Sequence, residues 1–357
     1  MFKEITSEHY IAIIRIAEVI AVALLILLIY NFVPIDKKAS ESFYIDATNV
    51  DTIVSSLERN GYTVTIIDKM MMQSDQMPAS GWYTLDKKAY GRFYFYKNMY
   101  KHQASTMKIV VYAGETHNEL IKRLSNDLKL DKEKLYNAYK SLSQYKEGDI
   151  LAGEYILARE AEEKSVIGYL FSESKKSLDL LIEKTFANTP DHFVLKVLLT
   201  IASIVQKETN DIEEMPIISG VIFNRLNKKM KLQMDSTLNY GKFSHTIVTP
   251  ERIKTDTSYY NTYKHKGLPP HPLGTVSLDA LRSAIFPDKN KYIFFMLKPS
   301  GGHKFCETYE EHLANIRTFR AYQKKRDKEK KALKEIEKKG KDSNESNDSN
   351  KPSLKKL

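Results

Sequence analysis

A chain of 357 residues, 42% apolar and 28% charged, is long enough to bury two cores and too apolar to be disordered. Its single cysteine, Cys306, excludes a disulfide framework and a cysteine-based zinc site. The net charge of +10 is no nucleic-acid signature: from Lys324 onward thirteen Lys/Arg stand against seven Asp/Glu, so most of the excess belongs to a tail.

In chain order, VIAVALLILLIYNFVPI at 19–35 carries no charged side chain. With the residues from 16 it gives a span of roughly 20 residues, the length a bilayer needs, with Tyr30 and Phe32 at an interfacial level. A secretory signal would have a shorter apolar core and a small-residue cleavage site, and YNFVPIDKK offers none. The reading is a cytoplasmic N-terminus (1–15), a transmembrane helix (16–35) and an exported body. Lys3 and Arg15 before the span nearly balance Lys37 and Lys38 after it, so the orientation rests on the short N-terminal arm.

Residues 36–105 form an N-terminal α/β region. SFYI is a strand; Val50, Ile53, Val54 and Leu57 mark a helix; GYTVTII is a second strand and RFYFYKNMY a third. Residues 106–160 read as a strand at 107–112, a helix from Thr116, a helix from Asp131 and a return strand near 155–158. This β-α-α-β order, with Gly-Glu-Thr opening the first helix, resembles a LysM-like subdomain. Such modules bind N-acetylated glycans; a purely structural subdomain fits the same pattern. Residues 161–188 connect, with a helix over 174–186. Thr189 as N-cap with Pro190 behind it starts the next domain, 189–322. The remainder, 323–357, reads as a basic disordered tail: its first half could extend a helix, and its Ser/Asn/Asp half has too little to bury.

The helix from Pro190 reads PDHFVLKVLLTIASIVQKET. At 100° per residue, Val194, Val197, Leu198, Ile201, Ile204 and Val205 share one stripe. Lys196, Thr200, Ser203 and Lys207 fall on the polar side. Glu208 continues the apolar stripe. Burial and the negative helix end both favour its protonated form, the state a general acid requires. A frayed, solvated helix end is the other reading.

Downstream, a helix to about Lys228 precedes LQMDSTLNYG, then SYYNTYKHKGLPPHPLG, a helix capped by Ser277, a buried strand YIFFML and a Ser-Gly-Gly-His turn. Loops rich in Tyr, Asn, Gln and Asp suit a sugar. IASIVQKET, FNRL, LQMDSTLNYG, YNTY, GLPP and GGHKF, in this order, resemble the YceG/MltG-like endolytic murein transglycosylases, densely over 190–320. The resemblance implies an α+β fold: one transmembrane helix, a mixed N-terminal region with the LysM-like subdomain, and an α+β catalytic domain. It also implies an enzyme of the bacterial cytoplasmic (inner) membrane with its catalytic domain on the periplasmic side. It would cut the MurNAc–GlcNAc bond of nascent glycan strands non-hydrolytically, leaving 1,6-anhydro ends. The family motif resembles I-E-K-E-T; Gln206 stands in place of its first acid, leaving Glu208 as the catalytic acid/base.

Gln233, Asp235, Tyr240, Tyr260, Asn261, Tyr263 and His303 are substrate-side candidates by motif match, Asp235 being also readable as a turn residue. The sequence departs from the family at Ser236, where a proline is usual, at His271, where a glycine is, and at LAGEY (151–155). No cofactor is expected: His245, His265, His271, His303 and His312 lack metal-ligand spacing. The implied partners are glycan strands and the membrane, with peptidoglycan synthases as further candidates and no nucleic acid. The rival readings are a lysozyme-like muramidase and a non-catalytic envelope scaffold.

Overall fold

The computed structural model describes residues 7–35, 42–46, 49–74, 78–84, 91–99, 101 and 103–348, with side chains between 9 and 331. The fold is mixed α+β, in two compact units: 1–196 with 271–278, and 197–270 with 279–357.

The first unit opens with α1 (Ser7–Asn31). Within it His9–Asn31 has mean hydropathy 2.8 and none of its apolar window is buried, which makes it the one described helix long and apolar enough to cross a membrane. Strand β1 (Ser42–Ile45) and helix α2 (Val50–Arg59) follow, α2 closed by a reciprocal cap between Asn49 and Thr52. Then come α3 (Ile66–Ser74), β2 (Gly81–Thr84), antiparallel to β1, and α4 (Arg92–Asn98).

Two expected strands do not form, and both are corrections. RFYFYKNMY is helical over Arg92–Asn98 and buries Arg92, Phe95, Tyr96 and Met99; that spacing is one helical face, which a run of aromatics disguises as alternation. In GYTVTII residues 61–65 are irregular and only Ile66 and Ile67 enter α3, whose buried positions are Asp68 and Met72.

Burying Arg92 at 1% exposure requires that every donor be used. Its Nε meets both Asp68 oxygens at 2.9 and 3.0 Å, and Nη2 donates to Asp68 Oδ2 at 2.8 Å and Thr63 O at 2.6 Å. Nη1 donates to Pro34 O at 3.0 Å, just past α1. The Tyr30 hydroxyl donates to Asp68 at 2.9 Å, and Asn31 Oδ1 accepts the Phe93 amide at 2.9 Å. The end of α1 is thereby bound to the first small core.

Next, β3 (Thr106–Val111), α5 (His117–Leu128), α6 (Lys132–Leu142) and β4 (Gly153–Ala158) adopt the expected order, with β3 and β4 antiparallel. Thr116 and Asp131 cap the two helices. Leu120, Leu124, Leu135 and Leu157 fill a core shared with Trp82 and with Ile167 and Leu170 of α7 (Glu163–Thr185). Helix α7 starts eleven residues before Ser174. Ser174 is a mid-helix tether: its hydroxyl accepts the Leu151 amide at 2.9 Å and contacts the Tyr155 hydroxyl at 2.8 Å. Residues 271–278 run across this module, with Thr275 and Val276 exchanging backbone bonds with Gly114, Glu115 and Ala152.

Helix α8 (His192–Glu208) crosses from the first unit into the second. Asp191, not Thr189, caps it: its carboxylate accepts the Val194 amide at 2.8 Å. The second unit continues with α9 (Met215–Asn227), α10 (Asp235–Leu238), α11 (Pro250–Thr255), α12 (Leu278–Ile285), the antiparallel pair β5 (Phe294–Leu297) and β6 (His303–Cys306), and α13 (Tyr309–Asp348). Strand β5 is half-buried rather than buried. Residues 323–348 continue α13, the extension open to the first half of the tail, and carry it into the start of the Ser/Asn/Asp half expected to be disordered. Lys, Glu and Ala are strong helix formers, and a helix already started at Tyr309 needs no new nucleus. The expected tail beyond Asp348 lies outside the described residues.

Burial alone would raise the Asp68 carboxyl, but Arg92, with the Thr65 amide and Tyr30, outweighs it and holds Asp68 below the usual range. That stabilisation is present above the unfolded value of about 4 and is lost as pH falls through the lower native one. Arg92→Met, which leaves Asp68 buried alone, is expected to cost about 3–5 kcal/mol. Denaturant unfolding in detergent measures it, and Asp68→Leu in the same chain should recover part of the loss.

Candidate active site

In α8 everything from Leu198 to Gln206 is buried. Thr200 and Ser203, expected on the polar side, are 2% and 1% exposed, and Gln206 is 6% exposed. The helix is enclosed on all sides, and its small hydroxyls are absorbed inside: Ser203 Oγ donates to Thr200 O at 2.8 Å. Lys207 is half-buried and reaches Asn239 O at 3.3 Å. Glu208 ends the helix. As a residue it is half-buried, but its Oε1 is enclosed and has no hydrogen-bond partner.

Glu208 lines a cavity of about 580 Å³ with Gln233, Asp235, Tyr263 and His303 among its other walls. Five of the eight sequence candidates therefore meet in one place. Burial pushes the Glu208 carboxyl up, the Ser236 hydroxyl and amide oppose it, and the charges of Asp235 and His303 act in opposite directions. Ser236 Oγ is itself buried without a partner, so Ser236 faces the carboxyl without closing a hydrogen bond, and burial prevails.

Asp235, first residue of α10, is exposed and accepts the Tyr263 hydroxyl at 2.7 Å. The turn reading of Asp235 thus gives way to a side-chain pair. Burial, followed by the Asp235 contact, drives the Tyr263 phenol well above its ordinary value, so it stays a donor. Gln233 is exposed at φ +50°, a left-handed conformation that side chains adopt at a cost. It is held there by its amide on Thr262 O at 3.2 Å. Thr262 also accepts the Met234 amide at 3.2 Å and meets Thr237 Oγ1 at 2.9 Å.

Three other candidates lie elsewhere. Asn261 is 0% exposed. Its amide donates to Ile253 O and Asp256 O at 2.9 and 2.8 Å, and its oxygen accepts the Tyr263 amide at 3.1 Å. It sets the loop carrying Tyr263 and has no face for a ligand. Tyr240 and Tyr260 stack on each other, centroids 4.5 Å apart, and line a separate cavity.

Two site residues escaped the sequence reading. Buried Arg225, within the FNRL motif, donates to Leu232 O at 2.6 Å and Ile293 O at 2.6 Å and lies 5.2 Å over Phe294, so one guanidinium joins two walls of the cavity. Glu214 accepts the His303 amide at 2.6 Å and meets its Nδ1 at 2.7 Å. NDIEEM reads as a solvated loop, and nothing local reveals a partner 89 residues away. The turn before His303 depends on Gly302, at φ +68°, where a Cβ would stand 2.7 Å from Glu214 Oε1.

A family model described as the YceG-like family matches residues 44–318. An endolytic murein transglycosylase of Bacillus subtilis (strain 168) is 36% identical over 115 residues, covering 32% of each chain. An endolytic murein transglycosylase of Streptococcus pneumoniae (strain ATCC BAA-255 / R6) is 32% identical over 176 residues, covering 48% of this chain and 31% of that protein. The chain spans about a third of the length of these curated relatives. A crystal structure of a YceG-like protein from Listeria monocytogenes overlaps 78% of this chain and 99% of that one, at 24% identity and a TM-score of 0.48.

Burial raises the Glu214 carboxyl, but the His303 amide and ring and Thr209 outweigh it and hold Glu214 below the usual range. This contribution is present above the unfolded value and lost as pH falls through the native one. Glu214→Gln is expected to cost about 1.5–3 kcal/mol and to speed hydrogen exchange at residues 301–306. Unchanged exchange there would show that the pair does not hold the turn.

Proposed function

The chain belongs to the YceG-like family, and on that premise we propose that it is a membrane-anchored endolytic lytic transglycosylase of peptidoglycan. It breaks the MurNAc–GlcNAc bond of nascent glycan strands and leaves 1,6-anhydro ends. One observation carries the reading: the enclosed, partnerless carboxyl oxygen of Glu208 at the end of a buried helix, facing a cavity walled by Gln233, Asp235, Tyr263 and His303. The relatives' name, endolytic murein transglycosylase, supports the substrate class.

Glu208, kept protonated by burial, gives its proton to the glycosidic oxygen as the bond to C1 breaks. The resulting carboxylate takes the proton of the muramyl C6 hydroxyl as that oxygen closes on C1. The proton count balances and no water is consumed, so one acid/base residue suffices. Asp235, held by the Tyr263 hydroxyl on the same cavity, is the residue proposed to steady positive charge developing on the sugar. His303 has Nδ1 committed to Glu214, leaving Nε2 as the ring nitrogen for substrate. A second reading rests on the same Asp235: two carboxyl groups on one cavity also suit hydrolysis through an activated water, the muramidase reaction.

The β-α-α-β module is LysM-like in this proposal and holds glycan. His117 stacks on Tyr139 at 4.9 Å and, with Tyr136, Lys140 and His271, lines a cavity of about 350 Å³; stacked rings and polar rims suit a sugar. Helix α1 anchors the chain in the cytoplasmic membrane with the body outside, and its apolar length supports this.

Glycan strands incubated with the full-length protein should yield products lighter by one water than hydrolysis gives. Glu208→Gln should lower the rate by roughly 10²–10⁴-fold without loss of folding. Because the acid form is the active one, activity should fall as pH rises through the raised Glu208 value. Anhydro ends that persist at the wild-type rate in Glu208→Gln would sink the assignment, and products carrying the added water would select hydrolysis.

A further inference from the structure

The second cavity of this unit has a chemistry that bond cleavage does not use. Its volume is about 450 Å³, and its walls include Leu238, Tyr240, Phe243, Arg252, Asp256 and Tyr260. It shares its framework with the Glu208 cavity. Asp235 and Leu238 are the two ends of α10, a helix about 6 Å long, and they line the first and second cavities respectively. Tyr263 and Tyr260, three residues apart, divide in the same way. The two cavities are therefore neighbours that share α10 and the loop carrying Tyr260 and Tyr263.

What distinguishes the second is fixed charge. The Arg252 guanidinium lies 3.9 Å from the Phe243 ring centre. It donates to the Leu238 carbonyl and, at 3.0 Å, to Thr246 Oγ1, while its Nε is buried with no partner. Asp256 accepts the Ser258 amide at 2.8 Å. Burial raises the Asp256 carboxyl, but Ser258, with Arg252 and Lys264, outweighs it and holds it low, hence ionised. The cavity thus offers a cation, an anion and a stacked tyrosine pair.

A GlcNAc or muramyl ring presents hydroxyls and amides, which can hydrogen-bond such charges but supply no opposite charge to them. The charged part of a glycan strand is the peptide branch on the muramyl lactyl group, which carries carboxylates and, on a diamino acid, an ammonium. We propose that this cavity binds the peptide branch of the muramyl residue being cleaved, with Arg252 pairing a peptide carboxylate and the Tyr240–Tyr260 stack covering apolar side-chain atoms. The proposal rests on the glycan-cleaving reading and narrows it: the enzyme selects strands that still bear peptides.

The test compares full-length protein on peptide-bearing strands and on the same strands stripped of peptide by an amidase. Wild type should prefer the former in kcat/KM by at least about tenfold, the scale of one charge-assisted hydrogen bond, and Arg252→Gln should collapse that preference. Equal use of both strands by wild type overturns the proposal. So does an Arg252→Gln enzyme that slows on both by one factor with the preference intact, the result expected if the cavity holds a further sugar. Calorimetric titration of full-length protein with a soluble muramyl peptide supplies a readout independent of catalysis. Binding that weakens in both Arg252→Gln and Asp256→Asn supports the site even if neither strand is cleaved, an outcome that would instead remove the transglycosylase reading. No binding by wild type overturns the site.

Discussion

A carboxyl group at the end of a helix buried from Leu198 to Gln206 is the constraint around which the second unit is arranged. Glu208 cannot ionise cheaply where its Oε1 is enclosed and has no partner. The loops that close over it must therefore be fixed by contacts other than contacts to Glu208. Arg225 fixes the wall at Leu232 and Ile293, Thr262 ties down Gln233 and Met234, and Glu214 fixes His303. Each of these satisfies buried backbone groups while leaving the cavity side of the loop free. Among the described residues, the polar atoms left over beside the cavity include Glu208 Oε1, Ser236 Oγ and His312 Nδ1, an arrangement stable in a protein only where the cost is met by surrounding order.

The same economy separates the charges. Of the carboxylates near the cavity, Glu214 is committed to His303 and Asp235 to the Tyr263 hydroxyl. Donors to Glu214 outweigh its burial and hold it low, whereas the Ser236 hydroxyl and amide do not outweigh the burial of Glu208, which is pushed up. Two acids of one residue type are thus shifted in opposite directions by the balance of burial and hydrogen-bond supply.

How much of this could be read from the residues depends on the range of the interactions. The place of Glu208 follows from a stripe at 3.6-residue period, and the caps at Thr116 and Asp131 follow from local side-chain chemistry; these were legible. The strand expected in RFYFYKNMY failed because seven mostly aromatic residues satisfy either period, and the decision is made by what Arg92 must bury against. Thr200 and Ser203 were assigned to water because hydroxyls look polar, yet a helix can return a hydroxyl to its own carbonyl and bury it. Glu214 and Arg225 were invisible as site residues because their partners lie 89 and 68 residues away. Asn261, a substrate-side candidate by motif match, is buried with its side-chain amide on its own loop: an amide that orders a loop resembles, in sequence, one that meets a sugar.

The buried guanidinium of Arg92 has a mechanical meaning. It grips Asp68, Thr63 and the chain just past α1 at once, and such a grip has no intermediate position: it can be whole or broken, but it cannot slip. The apolar helix and the small core beside it therefore turn as one rigid piece. A tilt of α1 is passed on as a rotation of that core rather than absorbed as slack. The end of α1 acts as a pivot, and the height and heading of the first core follow the helix instead of wandering on a tether.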